Sequence, residues 1–214
     1  MKKNLYIVLL LATSMAACKR SAPKTEIQKP EIQTIDTIVK QEEIPAPKIN
    51  WIDDFRNFRS AVVQNKKDSL AFYFNLPIVN EGNDIWYFLF ADNEKGLKLI
   101  GNKPKPFTSS DLEKYSHQLF PAHFVNSILK IKTDSLFKTG EYATPALGDG
   151  KTITYQMFAS YNEKEKQLTL NLSYVAVYVD KKGQPQDNSE SNLIYTFSID
   201  ESGHLKFKNI QVAG

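Results

Sequence analysis

The stretch Gln167-Leu-Thr-Leu-Asn-Leu-Ser-Tyr-Val-Ala-Val-Tyr-Val-Asp180 decides the fold. Leu168, Leu170, Leu172, Tyr174, Ala176 and Tyr178 alternate with Thr169, Asn171 and Ser173. That period of two belongs to a strand with one face on a core and the other toward solvent. After Ser173 the second face turns apolar too, at Val175, Val177 and Val179, so this end of the strand is expected to be covered on both sides.

Working outward, residues 152–161 read as the preceding strand. Residues 192–200 and 204–212 read as a closing hairpin across Glu201-Ser202-Gly203. The polar residues 181–191 between them are expected to form a loop. Toward the N-terminus the period changes from two to three and four. Ile52, Phe55, Phe58, Arg59 and Val62 mark an amphipathic helix that Asn50 can cap, with Asp53 three residues on. Asp68 opens a second, short helix carrying Leu70, Tyr73 and Phe74, stopped by Pro77. The apolar run 85–91 is expected to be a strand, 92–96 a turn and 97–100 a returning strand. Ser110 with Glu113 forms a capping-box pattern for a third helix bearing Leu112, Tyr115 and Leu119. Pro121 fits the first turn of a fourth, which buries Phe124, Ile128 and Leu129.

The predicted order is therefore ααββααββββ, an α+β domain with N-terminal helices packed on a mostly antiparallel sheet. This order resembles the nuclear-transport-factor-2-like (cystatin-like) cone, in which a curved sheet wraps around helices and leaves a pocket; the alternative is another helix-plus-antiparallel-sheet sandwich. The Phe-rich first helix and the Phe74-Asn75-Leu76-Pro77 ending also resemble uncharacterised domains of Bacteroidetes-type lipoproteins. Neither resemblance transfers an active site. Catalytic members of the cone fold place an Asp or a His–Asp pair in the pocket. Here the positions expected to face inward are Leu, Tyr and Ala, and the long strand has no acidic residue before Asp180.

The first 17 residues carry a different signal. Lys2 and Lys3 precede the apolar run 5–12, and small residues lead to Met15-Ala16-Ala17 before Cys18. This is the three-zone pattern of a secretory signal, and its apolar run is far short of the ~20 residues that span a bilayer. Residues 15–18 resemble the bacterial lipobox, with Met15 in place of the usual Leu. The resemblance implies cleavage before Cys18 and attachment there of a diacylglyceryl group and an N-acyl chain such as palmitate. Two or more chains anchor firmly where one does not. Cys18 is the single cysteine, so no intramolecular disulfide is available. Lys19 and Arg20 follow it in place of an inner-membrane retention Asp, which implies the outer membrane, facing the periplasm. Residues 18–50 contain no aromatic residue and no glycine but four prolines, Pro23, Pro30, Pro45 and Pro47. Such a segment reads as a flexible tether reaching roughly 100 Å at ~3.1 Å per residue. Ile27, Ile32, Ile35, Ile38 and Val39 show a weak helical spacing within it.

Composition changes at Trp51, and residues 51–214 read as one domain, large enough to bury roughly 70% of its unfolded surface without disulfides. That domain carries 19 basic and 19 acidic residues, so it has no electrostatic footprint for nucleic acid. Metal chemistry is not expected. His117 and His123 lie six apart across Pro121, with no acidic residue nearer than Glu113 to complete a set. His204, at a strand start, reads as a surface residue. The single cysteine is committed to lipid, no Gly-x-Ser-x-Gly elbow exists, and Gly148-Asp149-Gly150 lacks the lysine of a phosphate loop. No catalytic residue, metal site or cofactor is assigned.

The abundant aromatics are read mainly as core, with Trp86, Tyr87, Tyr174 and Tyr178 as candidates for a ligand pocket or a protein-binding face. Two functions follow: a non-catalytic lipoprotein docking on another envelope protein, or a small hydrophobic ligand-binding domain with a pocket between sheet and helices.

Overall fold

Helix α1, Trp51–Val63, forms where the apolar spacing predicts it. Asn50 caps it by accepting from the Ile52 amide at 3.3 Å, and Trp51, Ile52, Phe55, Phe58 and Val62 turn inward. The computed structural model describes residues 50–79, 84–90, 105–148, 152–179 and 185–214, without the side chains of 177–179 and 185–188. The export signal, Cys18, the tether as far as residue 49, the turn at 92–96, the strand at 97–100, Asp149-Gly150 and Asp180 lie outside the described residues.

The helices continue as α2 (Lys67–Ala71), α3 (Ile85–Phe90), α4 (Ser109–Leu119), α5 (Ala122–Ile128) and α6 (Thr133–Thr139). Four differences from expectation stand here. Residues 85–90 are helical, not a strand, so the ββ pair of the predicted order is corrected at its first member. The Phe88 amide bonds the Asp84 carbonyl at 2.7 Å, and Trp86 packs on Phe107 and Tyr115. A run that is apolar on every side carries no period, so its tertiary contacts decide its form. The capping box of α4 is Thr108 with Asp111, two residues before the expected Ser110 and Glu113. Helix α5 buries Phe124 and Ile128, but Leu129 stays half exposed. Helix α6, closed by Gly140 in the left-handed region at φ 77°, has no counterpart among the sequence-based expectations.

The strands are β1 (Glu141–Ala143), β2 (Leu147–Gly148), β3 (Ile153–Asn162), β4 (Gln167–Val179), β5 (Pro185–Ile199) and β6 (Leu205–Ala213). The described residues thus give helices first and one antiparallel sheet after, an α+β domain. The sheet order is β1-β3-β4-β5-β6, with β2 also on β3. The last four strands form the expected meander. Residues 185–191 belong to β5 and not to a loop: they extend the β4 ladder from Tyr174–Ser191 to Val179–Pro185.

Leu168, Leu170 and Leu172 of β4 are fully buried, as are Tyr195 and Phe197 of β5. All lie on the face that the helices cover. Phe58 meets Phe197, Phe124 meets Tyr195 and Phe74 stacks on Phe207. The outer edge of β6 is occupied by the segments joining the first helices. The Phe207 amide donates to the Tyr73 carbonyl at 2.7 Å, and the Asp84 amide donates to the Ile210 carbonyl at 2.9 Å. The Val212 amide donates to Asp84 Oδ2 at 3.1 Å. An edge strand satisfied in this way does not template a stray strand.

Candidate functional site

The four aromatic candidates do not converge. Trp86 is a core residue of α3. Its Nε1 donates to the Lys105 carbonyl at 2.6 Å, its ring lies parallel to Phe90, and the Lys105 ammonium sits 4.7 Å above it. Its neighbour Tyr87 points to solvent, 49% exposed. Tyr174 belongs to another cluster, half-buried on the inner face of β4. Its ring lies 5.6 Å from His123 of α5 and 6.4 Å from Tyr155 of β3. His123 in turn tilts over Tyr155 at 4.4 Å, and Asn126 Nδ2 donates to the Tyr155 hydroxyl at 3.4 Å. Tyr178 lies in β4, with its side chain outside the described residues.

Burial sets the ionisation of the inner tyrosines. It pushes the hydroxyls of Tyr174 and Tyr195 upward, with the neighbouring tyrosine a lesser cause in each case. Tyr73 is raised by burial and then by the charge of Asp54. An unfolded tyrosine ionises near pH ~10, so these three hold their protons more tightly when folded. Their contribution to stability is complete below the unfolded value and is lost as pH rises above it. In a tyrosinate absorbance titration, these three should ionise together with alkaline unfolding. Early, independent ionisation of all tyrosines would contradict their burial.

The pair that sequence reasoning missed is Asp54 with His204, 150 positions apart. His204 is half-buried, which corrects its reading as a surface residue. Its Nδ1 lies 3.2 Å from Asp54 Oδ1, and the Leu205 amide donates to Asp54 Oδ2 at 2.8 Å. Asp54 is only 3% exposed. A signal did exist, because Trp51, Asp54, Phe58 and Ala61 fall on one helical face, so the carboxylate stands on an otherwise apolar stripe. Both its oxygens are committed to the start of β6, which makes it a pin between helix and sheet. His117, in the last turn of α4, is exposed. Among the described residues no three His, Cys, Asp or Glu side chains are grouped to hold a metal ion, and no helix is long and apolar enough to cross a membrane.

Between sheet and helices the space is filled by rings. Phe120 contacts Phe58, Phe124 and Tyr195, and the Tyr195 hydroxyl donates to the Leu119 carbonyl at 2.8 Å. An open groove lies instead on the helical surface. Val62, Val63, Phe120, Ala122 and Val125 give it an apolar floor, with Asn65, Ser116, His117 and Asn126 also lining it, and its volume is about 240 Å³. Leu129, 51% exposed, stands one turn beyond Val125 on the same face of α5.

No family model matches the chain, and no curated protein matches its sequence. Among solved structures it is similar to one described as a "putative ketosteroid isomerase" from Shewanella frigidimarina NCIMB 400. That match has 13% identity and a TM-score of 0.24, and covers 75% of this chain and 92% of that one.

Proposed function

We propose that this chain is a lipid-anchored envelope protein whose domain is a non-catalytic docking module of the nuclear-transport-factor-2-like, cone-shaped kind. Residues 1–17 serve as its export signal, Cys18 carries the lipid, and residues 18–50 hold the domain clear of the outer membrane on the periplasmic side. The observation that carries the docking role is the groove between α1, α4 and α5. Its floor is apolar and reaches solvent at Val63 and Ala122, over the buried Val62 and Phe120, while the interior is packed with aromatic rings. Its lining includes no carboxylate and no ammonium group, so the fitting occupant is an apolar side chain flanked by uncharged polar groups on another envelope protein. A photoreactive residue placed at Leu129 in the full chain, expressed in its own envelope, should capture one protein. Val125→Arg should abolish that capture. Capture that persists in Val125→Arg, or that occurs equally from a residue placed at Glu163 in the β3–β4 turn, would refute docking in the groove.

The anchor has its own test. Cys18→Ser should remove the acyl mass from the mature chain and shift the protein out of the membrane fraction. Unchanged membrane association in that variant would refute the lipid anchor.

A specific observation favours a second reading, a site for a small hydrophobic ligand. On the inner face of the sheet Ile153, Tyr174 and Ala176 are half-buried, beside the His123–Tyr155 pair. Native mass spectrometry of the envelope-extracted chain decides it. An extra few hundred daltons lost on denaturation supports a ligand, and a bare chain removes that reading.

A further inference from the structure

The helical groove ends at a cation on both of its walls. On α1, Arg59 stands one turn before Val62 and Val63 of the floor. On α5, Leu129 stands one turn after Val125, and Lys130 follows it. The two walls meet there, because Arg59 Nη1 donates to the Ile131 carbonyl at 2.8 Å. The Ile131 side chain is buried, while Lys130 and Lys132 on either side of it are exposed. Arg59, Lys130 and Lys132 are thus gathered at one end of an apolar groove whose own lining holds no carboxylate or ammonium group.

The carboxylates of the neighbouring elements are already engaged. Asp53 and Asp134 both pair with Arg56, which also donates from Nε to the Thr133 hydroxyl at 3.1 Å. Asp54 holds His204 and the Leu205 amide. Among the described residues neither Arg59 nor the two lysines has a carboxylate partner. Arg59 is half-buried. Burial, and then the charge of Arg56, holds its guanidinium below the usual arginine range. Both causes oppose a charge that has no counter-ion. In a domain with 19 charges of each sign, this is a local excess of positive charge at a partly desolvated place.

We propose that the groove receives an acidic segment of another envelope protein, with one apolar side chain on the floor and, a few residues along, carboxylates on Arg59, Lys130 and Lys132. This rests on the docking reading and adds to it the class of partner. A volume of about 240 Å³ is smaller than the ~300–1,000 Å³ that hold small molecules, and suits a single anchoring side chain. Arg59 lies one helical turn, ~5–6 Å, from the floor. An extended segment covers that distance in two residues at ~3.3 Å each. The forked guanidinium keeps N–H groups beyond the one given to Ile131, and a carboxylate fits them. Asn65, Ser116 and Asn126 of the lining can bond the segment's backbone. A flat anionic membrane would reach the lysines but not the floor of a groove, so the concavity favours a polypeptide. Charges at such a rim speed encounter and select the partner.

The test uses the full lipidated chain in its own envelope, with the photoreactive residue at Leu129. Lys130→Glu and Lys132→Glu together, both at exposed positions, should lower capture about tenfold with unchanged circular dichroism. In isolated envelopes, raising salt from ~0.1 M to ~1 M shortens the screening length from ~10 Å to ~3 Å. That should lower capture by the wild-type chain and not by the double variant. The polypeptide crosslinked at position 129, sequenced by mass spectrometry, should carry Asp or Glu within about four residues of its attachment point, the reach of one helical turn. The same segment, synthesised with its carboxylates replaced by carboxamides, should bind the full chain in micelles about tenfold more weakly and be indifferent to Lys130→Glu. Capture that is lost in Val125→Arg but untouched by the paired lysine reversals would leave docking in place and overturn the acidic partner. A crosslinked segment without carboxylates would do the same. A phospholipid in place of a polypeptide on the photoreactive residue, no capture, or capture that Val125→Arg does not touch would overturn the docking reading and this one with it.

Discussion

Replacing Phe58 with Ala is expected to cost ~3–5 kcal/mol. The ring is fully buried and lies at the junction of the two layers. Its centroid is 5.1 Å from Tyr73, 5.8 Å from Phe120 and 4.8 Å from Phe197, all edge-on. Truncation removes the transfer energy of a whole aromatic ring and leaves a void among other rings. Rigid rings collapse into a void poorly, so the cavity contribution persists. Edge-to-face pairs add ~0.5–1.5 kcal/mol each beyond buried area. The internal control is Phe137→Ala on α6. That side chain is 49% exposed and meets Trp51 at 5.9 Å, and its loss should cost under ~1.5 kcal/mol. Urea unfolding of both variants measures the contrast. A Phe58→Ala loss no larger than that of Phe137→Ala would mean that helices and sheet do not share one core.

The residues that were legible in the sequence are those buried on one side only. Ile52, Phe55, Phe58 and Val62 announce a helix, and Leu168, Leu170 and Leu172 a strand, because one face in each case meets water and imposes a period. Where burial is not one-sided the period vanishes. Residues 85–90 read as apolar throughout, so β-favouring aromatics suggested a strand, and only contact with Phe107 and Tyr115 makes them helical. Residues 185–191 fail in the opposite sense. They are Pro, Gln, Asp, Asn, Ser, Glu and Ser, with no apolar residue to alternate, and they pair because β4 offers a ladder. Strand β1, three residues long, is likewise created by its neighbour β3. The candidate site follows the same logic. Composition showed that aromatics were plentiful, but which of them stayed exposed, such as Tyr87, Phe137 and Phe158, depends on how the helices pack on one another and on the sheet, and no local pattern encodes that. Trp86, the most conspicuous candidate, is instead held inside by its own indole hydrogen bond.

The pairing of Asp54 with the start of β6 is the longest-range relation of this kind, and its removal carries the second large effect. Asp54→Ala should cost ~2–4 kcal/mol, because it leaves the Leu205 amide without its acceptor at a position that is fully buried. Two accounts of this carboxylate predict different orders of loss. If it acts as an acceptor for the backbone, Asp54→Asn retains an oxygen for Leu205 and should lose only ~1–2 kcal/mol. In that case His204→Ala, removing a side chain that is 23% exposed, should lose under ~1 kcal/mol. If the imidazole–carboxylate contact dominates, the His204 and Asp54 truncations should cost about the same. The geometry favours the first order, since the Leu205 contact is the shorter at 2.8 Å against 3.2 Å. Urea unfolding of the three variants ranks them, and an Asp54→Ala loss within ~0.5 kcal/mol of zero would refute both accounts. Amide exchange at Leu205 adds the location. Acceleration confined to the β5–β6 turn would make Asp54 a clasp on one hairpin, whereas acceleration reaching Ile210 and Tyr195 would show that the helical layer and the whole outer half of the sheet open together.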